Sequence, residues 1–178
     1  MYQQVIDFWF SELEPKMWWI KDSEFDANIE RRFGRVHRQA MDGELYEWRT
    51  SPLGALAEVL VLDQFSRNIF RDKPEAFACD SQALVLAQVA VENQFDEKLS
   101  VVERSFLYMP YMHSESKLIH EQAIILFTKL GNKDNLRFEQ RHKDIVDRFG
   151  RYPHRNKILG RESTEEEIEF LKQPGSGF

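Results

Sequence analysis

The sequence predicts an all-α fold in a single domain, and three observations predict it. Apolar residues recur at intervals of three or four along most of the chain. Residues that start and stop helices stand at the ends of those stretches. No stretch of any length alternates apolar and polar residues as a half-buried strand would.

The elements follow in order. Val5, Phe8 and Trp9 begin a first helix, and Phe25, Ile29, Phe33, Val36 and Ala40 form one apolar stripe on a second. Ser51 before Pro52 supplies an N-cap and a first-turn proline for a third, Leu53 to Phe70. Asp80 or Ser81 can start a helix through Ala83 to Val91. The next helix, from about Val102, is expected to end or kink at Pro110, because proline lacks the amide donor and its ring crowds the preceding turn. Ser114 then caps a second piece through Phe127 that Gly131 closes. Phe138, Ile145 and Phe149 keep helical spacing up to Gly150, a C-terminal cap, with His142 on the same face. Ser163 with Glu166, or Thr164 with Glu167, forms a capping box for a last helix reaching Leu171, and residues 173–178 read as a flexible tail. No period of about 34 residues is visible, so a repeat is not predicted by pattern.

With 178 residues and 42% of them hydrophobic, the chain can bury a substantial core. A net charge of −6 argues against a general nucleic-acid or anionic-membrane surface, which needs a positive footprint. No apolar run approaches the roughly 18 residues of a membrane span. Cys79 is the single cysteine and is expected in the core, so an intramolecular disulfide and a cysteine-rich zinc site are excluded, and a cytoplasmic location is expected.

Against this acidic background, residues 148–161 carry Arg148, Arg151, Arg155, Lys157 and Arg161, with His154 among them and no Asp or Glu. Pro153 fixes a turn that sets Arg151 and Arg155 on a loop. Earlier, Asp63, Arg67 and Arg71 are spaced by four, with Gln64 and Asn68 beside them, and are expected to share one face of a mostly buried helix. One carboxylate there cannot satisfy two guanidinium groups. His113 and Glu115 follow the proline break, where His113 suits acid or base chemistry and Glu115, near a helix N-terminus, should stay ionised. His142 on an apolar face reads more simply as a core histidine. No pair of histidines has the spacing of a helical metal motif, and no phosphate loop, dinucleotide fingerprint or nucleophile elbow occurs. No metal or cofactor is therefore expected.

The segments LDQFSRNIFR, SFLYMPYMHSES and RHKDIVDRFGRYPHRNKILGRESTEEEIEFL, together with the early FWF, resemble the bacterial family catalogued as domain of unknown function nine-two-four over essentially the whole chain. The resemblance implies a fold similar to tetratricopeptide-like arrays of antiparallel helix pairs, and it implies no known activity. Its motifs fall on Asp63, Gln64, Arg67, Asn68, Arg71, His113, Glu115, His142, Arg148, Arg151, His154, Arg155, Asn156, Arg161 and Glu162.

Three functional readings stand side by side. In the first, Arg67, Arg71, Arg151 and Arg155 converge on a pocket that binds a small phosphate- or carboxylate-bearing molecule, lined also by Asp63, Gln64, Asn68, His142, Asn156 and Arg161. If the pocket is catalytic, His154 or His113 is the acid or base and Glu115 the orienting carboxylate. In the second, the helix pairs present a groove to a peptide or protein, with anchors among Trp9, Trp18, Trp19 and Trp48. In the third, the arginines only lock the C-terminal segment, held by Asp63, Asp80, Glu115 and Glu162.

Overall fold

The computed structural model describes residues 1–177; of the expected tail, Phe178 lies outside them. Helices and turns make up the described chain, with no strand among the described residues, as the apolar spacing requires. Helix α1, Tyr2–Asp7, runs on into a wider turn at Phe8–Glu12, and α2, Ser23–Met41, starts where the Asp22 carboxylate accepts the Glu24 and Phe25 amides. Helix α3, Pro52–Leu60, is capped by Ser51 as expected. It continues through a π turn, Val61–Phe65, into α4, Ser66–Ile69, making one buried rod. Gly54 sits where this rod meets the preceding turn: a Cβ there would lie 2.1 Å from the Trp48 carbonyl oxygen, so only glycine fits.

Helices α5, Asp80–Glu92, and α6, Val101–Met112, pack on α3 and on each other. Pro110 does not end α6 where the sequence suggested; the helix runs two residues further, to Met112. Proline there removes one hydrogen bond, and burial of Tyr108, Met109, Tyr111 and Met112 holds the chain helical in spite of it. The break comes at His113 to Ser116, and Ser116, not Ser114, takes the N-cap position of α7, Lys117–Leu130. Helix α8, Lys133–Phe149, packs on α7 and ends at Gly150 in the left-handed region, φ 70°. Of the two capping boxes the sequence offered, Thr164 with Glu167 starts α9, Glu165–Leu171.

The main core gathers Val5, Phe8, Trp9, Phe33, Leu56, Leu60, Phe65, Phe106 and Phe127 between these helices, and Cys79 is buried at its edge. A second, small cluster joins Ile145, Val146 and Tyr152 with Phe149 and Phe170. It seats the loop 150–164 against α6, α7 and α8, which decides where the arginines go.

Candidate functional site

The π turn sets the first half of the site. By inserting a wider turn, it changes the face on which the residues after it emerge, and such turns recur at functional sites. Asp63 points into the core, where its carboxylate accepts hydrogen bonds from Gln64 Nε2 at 2.6 Å and from His113 Nδ1 at 2.7 Å, with Arg67 Nη1 at 3.2 Å. Arg67 meets Asp80 with both terminal nitrogens, at 2.9 and 3.0 Å. Asn68 and Arg71 instead turn to Asp26 on α2, Arg71 through two bonds of 2.5 and 2.7 Å. The five residues expected on one face thus have two destinations, and the rod ends at Ile69, before Arg71.

The loop after α8 supplies the second half. Arg151 pairs with Glu167 through Nε and Nη2 and donates also to the Glu162 carbonyl, so Glu162 contributes main chain and Glu167 the carboxylate. Arg161 is held by both Glu115 oxygens at 2.7 and 2.9 Å, by the Asn156 amide oxygen and by the Tyr152 carbonyl. Glu115 also accepts the Tyr152 amide, 2.7 Å. Asn156 donates to Ser163 and Glu167. Arg148 makes an exposed pair with Glu166. Glu167 was visible in the sequence only as a capping residue, and no sequence pattern singled out Asp26.

Arg155 is different. Its guanidinium carbon lies 4.6 Å from the ring centroids of both Phe77 and Tyr152. Nη1 reaches Asp80 at 3.2 Å and Nη2 the His113 carbonyl at 3.1 Å, while Nε is buried with no partner among the described residues. Its side chain is 7% exposed, against 21 to 29% for Arg67, Arg151 and Arg161. Burial and the neighbouring Arg67 push its pKa down, whereas those of Arg67 and Arg151 are raised by their carboxylates.

A cavity of about 300 Å3 opens here. Its polar wall is Asp80, Ser81, His113, Ser114, Glu115 and Arg155, and its apolar wall includes Phe77, Leu84, Pro110 and Leu159. His142 and His154 are not among its lining residues; His142 is buried and His154 half-buried against the Tyr152 ring, and burial lowers their pKa values, to about 3 and about 4. Of the residues expected to meet, the cavity brings together His113, Glu115 and Arg155, with Asp63 and Arg67 directly behind. Nothing in the sequence pattern signalled Phe77, Leu84 or Leu159 as its wall.

The charges sort the chemistry. Burial alone would raise the Asp63 carboxyl, but Arg67 and His113 outweigh it and hold it well below the usual range. Glu115 is likewise raised by burial and lowered further by Arg161 and the Tyr152 amide, so both carboxylates stay ionised. Burial, then Arg67, lowers the His113 pKa, against the pull of Asp63. Away from the cavity, the buried His120 joins Glu139 at 2.7 Å between α7 and α8, where burial raises the Glu139 carboxyl. Among the described residues no cluster of three or more His, Cys, Asp or Glu could hold a metal ion. No described helix is long and apolar enough to cross a membrane.

Known proteins agree with this picture in fold and are silent on activity. A family described as "Bacterial protein of unknown function (DUF924)" matches residues 5–175. A solved structure titled as a protein of unknown function, ATU0120 from Agrobacterium tumefaciens, is 37% identical, with a TM-score of 0.92 and 96% of each chain covered. No curated protein matches.

Proposed function

The chain belongs to this bacterial family of unknown function, and from that premise we propose that it binds a small molecule bearing one anionic group, carboxylate or phosphate, in the cavity walled by Arg155 and His113. The observation that carries the reading is the state of Arg155. A guanidinium has five donors, and this one, the most buried of its cluster, hydrogen-bonds to two protein acceptors. Burying a polar group without partners costs free energy, so each such group calls for an explanation, and a ligand in the adjoining cavity supplies one here.

The anion is single. Arg67, Arg151 and Arg161 each have a bidentate carboxylate, so they raise the local potential without offering a free fork. The apolar wall of Phe77, Leu84, Pro110 and Leu159 suits a short hydrocarbon portion, and the volume lies at the lower end of small-molecule sites. Cytoplasmic location and absence of nucleic-acid or membrane partners belong to the same reading. The groove of a tetratricopeptide-like scaffold finds less support, because of its four candidate anchors Trp9 and Trp48 are buried in the core and Trp18 packs against it, which leaves Trp19 exposed.

Calorimetric titration with acetate, propionate, butyrate and sulfate tests this. Affinity should rise along the carboxylate series as carbons cover the apolar wall, by about 0.8 kcal/mol per methylene at most. Arg155→Met should weaken butyrate at least tenfold while the circular dichroism spectrum stays that of the parent. Equal affinity of parent and variant would sink the reading.

A further inference from the structure

We propose that His113 is the acid–base group of this cavity and that the site takes up one proton with its anion, at His113 Nε2. The inference rests on the binding reading above and adds to it what the site does to its ligand.

Geometry fixes the tautomer. Asp63 is 1% exposed and lies 2.7 Å from His113 Nδ1, and as an ionised carboxylate it can only accept, so the hydrogen of the neutral ring sits on Nδ1. Gln64 donates to the other Asp63 oxygen and Arg67 approaches the first, so Asp63 cannot swing away without leaving buried donors unpaired. The nitrogen left for the cavity is Nε2, which has no hydrogen-bond partner among the described residues and is not a buried atom. It therefore presents a lone pair, the requirement for a general base.

The ring is also tied to the anion site. Arg155 donates to the carbonyl of His113 itself, 3.1 Å, so the guanidinium and the imidazole are held on one stretch of wall. An anion on Arg155 places its charge beside Nε2 and favours the imidazolium, which Asp63 stabilises from behind. The step balances simply. A proton leaves solvent or a ligand O–H, its electron pair stays on that oxygen, and a new N–H bond forms at Nε2. His113 is then the group that can return the proton to the ligand, and Asp63 is a positioning residue.

Every charged neighbour of the ring enters the balance. Asp63 and Arg67 face it from the rod and Asp80 from α5; Glu115 stands on its own loop; His154 and Arg155 approach from the 153–155 turn and His142 from α8. Burial and Arg67 keep the free ring neutral near pH 7, so an added anion is the element that shifts the balance. The sign follows: the bound state has the higher His113 pKa, so affinity rises as pH falls, until the free ring itself protonates.

Two measurements on the full chain test the proposal. Nitrogen-15 spectra of the histidine rings should show His113 as the Nδ1–H tautomer in the free protein. Titration with butyrate and with sulfate at pH 6.5, in two buffers of different ionisation enthalpy, should show proton uptake approaching one per site. Affinity should strengthen by up to about tenfold from pH 7.5 to 6.5. His113→Gln should still bind the anion but without uptake or pH dependence. Butyrate alone binding assigns a carboxylate ligand, and sulfate alone a phosphate-like one. An Nε2–H tautomer, binding without proton uptake, or uptake that survives His113→Gln overturns the role of His113 and leaves the anion site standing. Failure of both anions to bind overturns both readings.

Discussion

Arg161 and Arg155 come from the same basic loop, six residues apart, and have opposite surroundings. Arg161 has hydrogen bonds on all three nitrogens, to Glu115, Asn156 and Tyr152, and stays a quarter exposed. Arg155 is nearly fully buried, stacked between two rings, with two bonds longer than 3 Å. The first is a closed lock that fastens the C-terminal segment to the break between α6 and α7. The second sits on a cavity wall with donors to spare. A concentration of cations in an acidic chain therefore has two causes here, and the hydrogen-bond complement of each guanidinium tells them apart.

The same substitution on both flanks breaks the comparison open. Arg161→Met leaves Glu115, itself partly buried, with the Tyr152 amide as its remaining donor. Breaking a fully buried ion pair costs about 3 to 5 kcal/mol, and exposure of a quarter on each side lowers that to about 2 kcal/mol. Urea unfolding measures it, and a loss below about 0.5 kcal/mol would show that the lock holds nothing.

The lock should also have an acid limit of its own. Hydrogen bonds from Arg151, Thr164 and Asn156 depress the Glu167 carboxyl to about 2, against the lesser opposing effect of burial. A folded-state pKa below the unfolded one contributes stability above the unfolded value, lost as pH falls through the folded value. That window runs from about pH 4.5 to about pH 2. With Arg151 partly in solvent and screened, the loss is about 1 to 2 kcal/mol. Parent and Glu167→Gln should converge in stability across this window, and parallel curves would remove Glu167 from the account.

How far the sequence foretold this depends on the range of the interaction. Helix ends were legible because caps are local: Ser51, Thr164 with Glu167, Gly131 and Gly150 act within a few residues of themselves. Pro110 misled because burial of its neighbours, a tertiary effect, outweighed one lost hydrogen bond. The spacing of Asp63, Arg67 and Arg71 misled because it assumes a regular helix, and the π turn at Val61–Phe65 is set by packing. The residues of the site were legible as types, since an arginine cluster without acids must find partners somewhere. Which carboxylate each arginine takes was not, because Glu167, Asp80 and Asp26 reach theirs across 16, 13 and 45 residues of chain. The cavity itself, formed by apolar residues from four segments, leaves no pattern in any one of them.

The smallest expected effect is the most informative. Arg155→Met removes a guanidinium whose desolvation its two long bonds only partly offset, and it leaves Asp80 bidentate on Arg67. Methionine keeps an unbranched chain between Phe77 and Tyr152 and makes favourable sulfur contacts with rings. Replacing a poorly compensated buried charge by an apolar group is often neutral or stabilising. The unfolding free energy should therefore stay within about 1 kcal/mol of the parent, with a gain as acceptable as a loss. A loss of about 3 kcal/mol or more would make Arg155 a second lock and dissolve the contrast with Arg161. A value near zero would mean that the folded chain keeps a buried cation it does not need for folding, and the reason for keeping it lies in what enters the cavity.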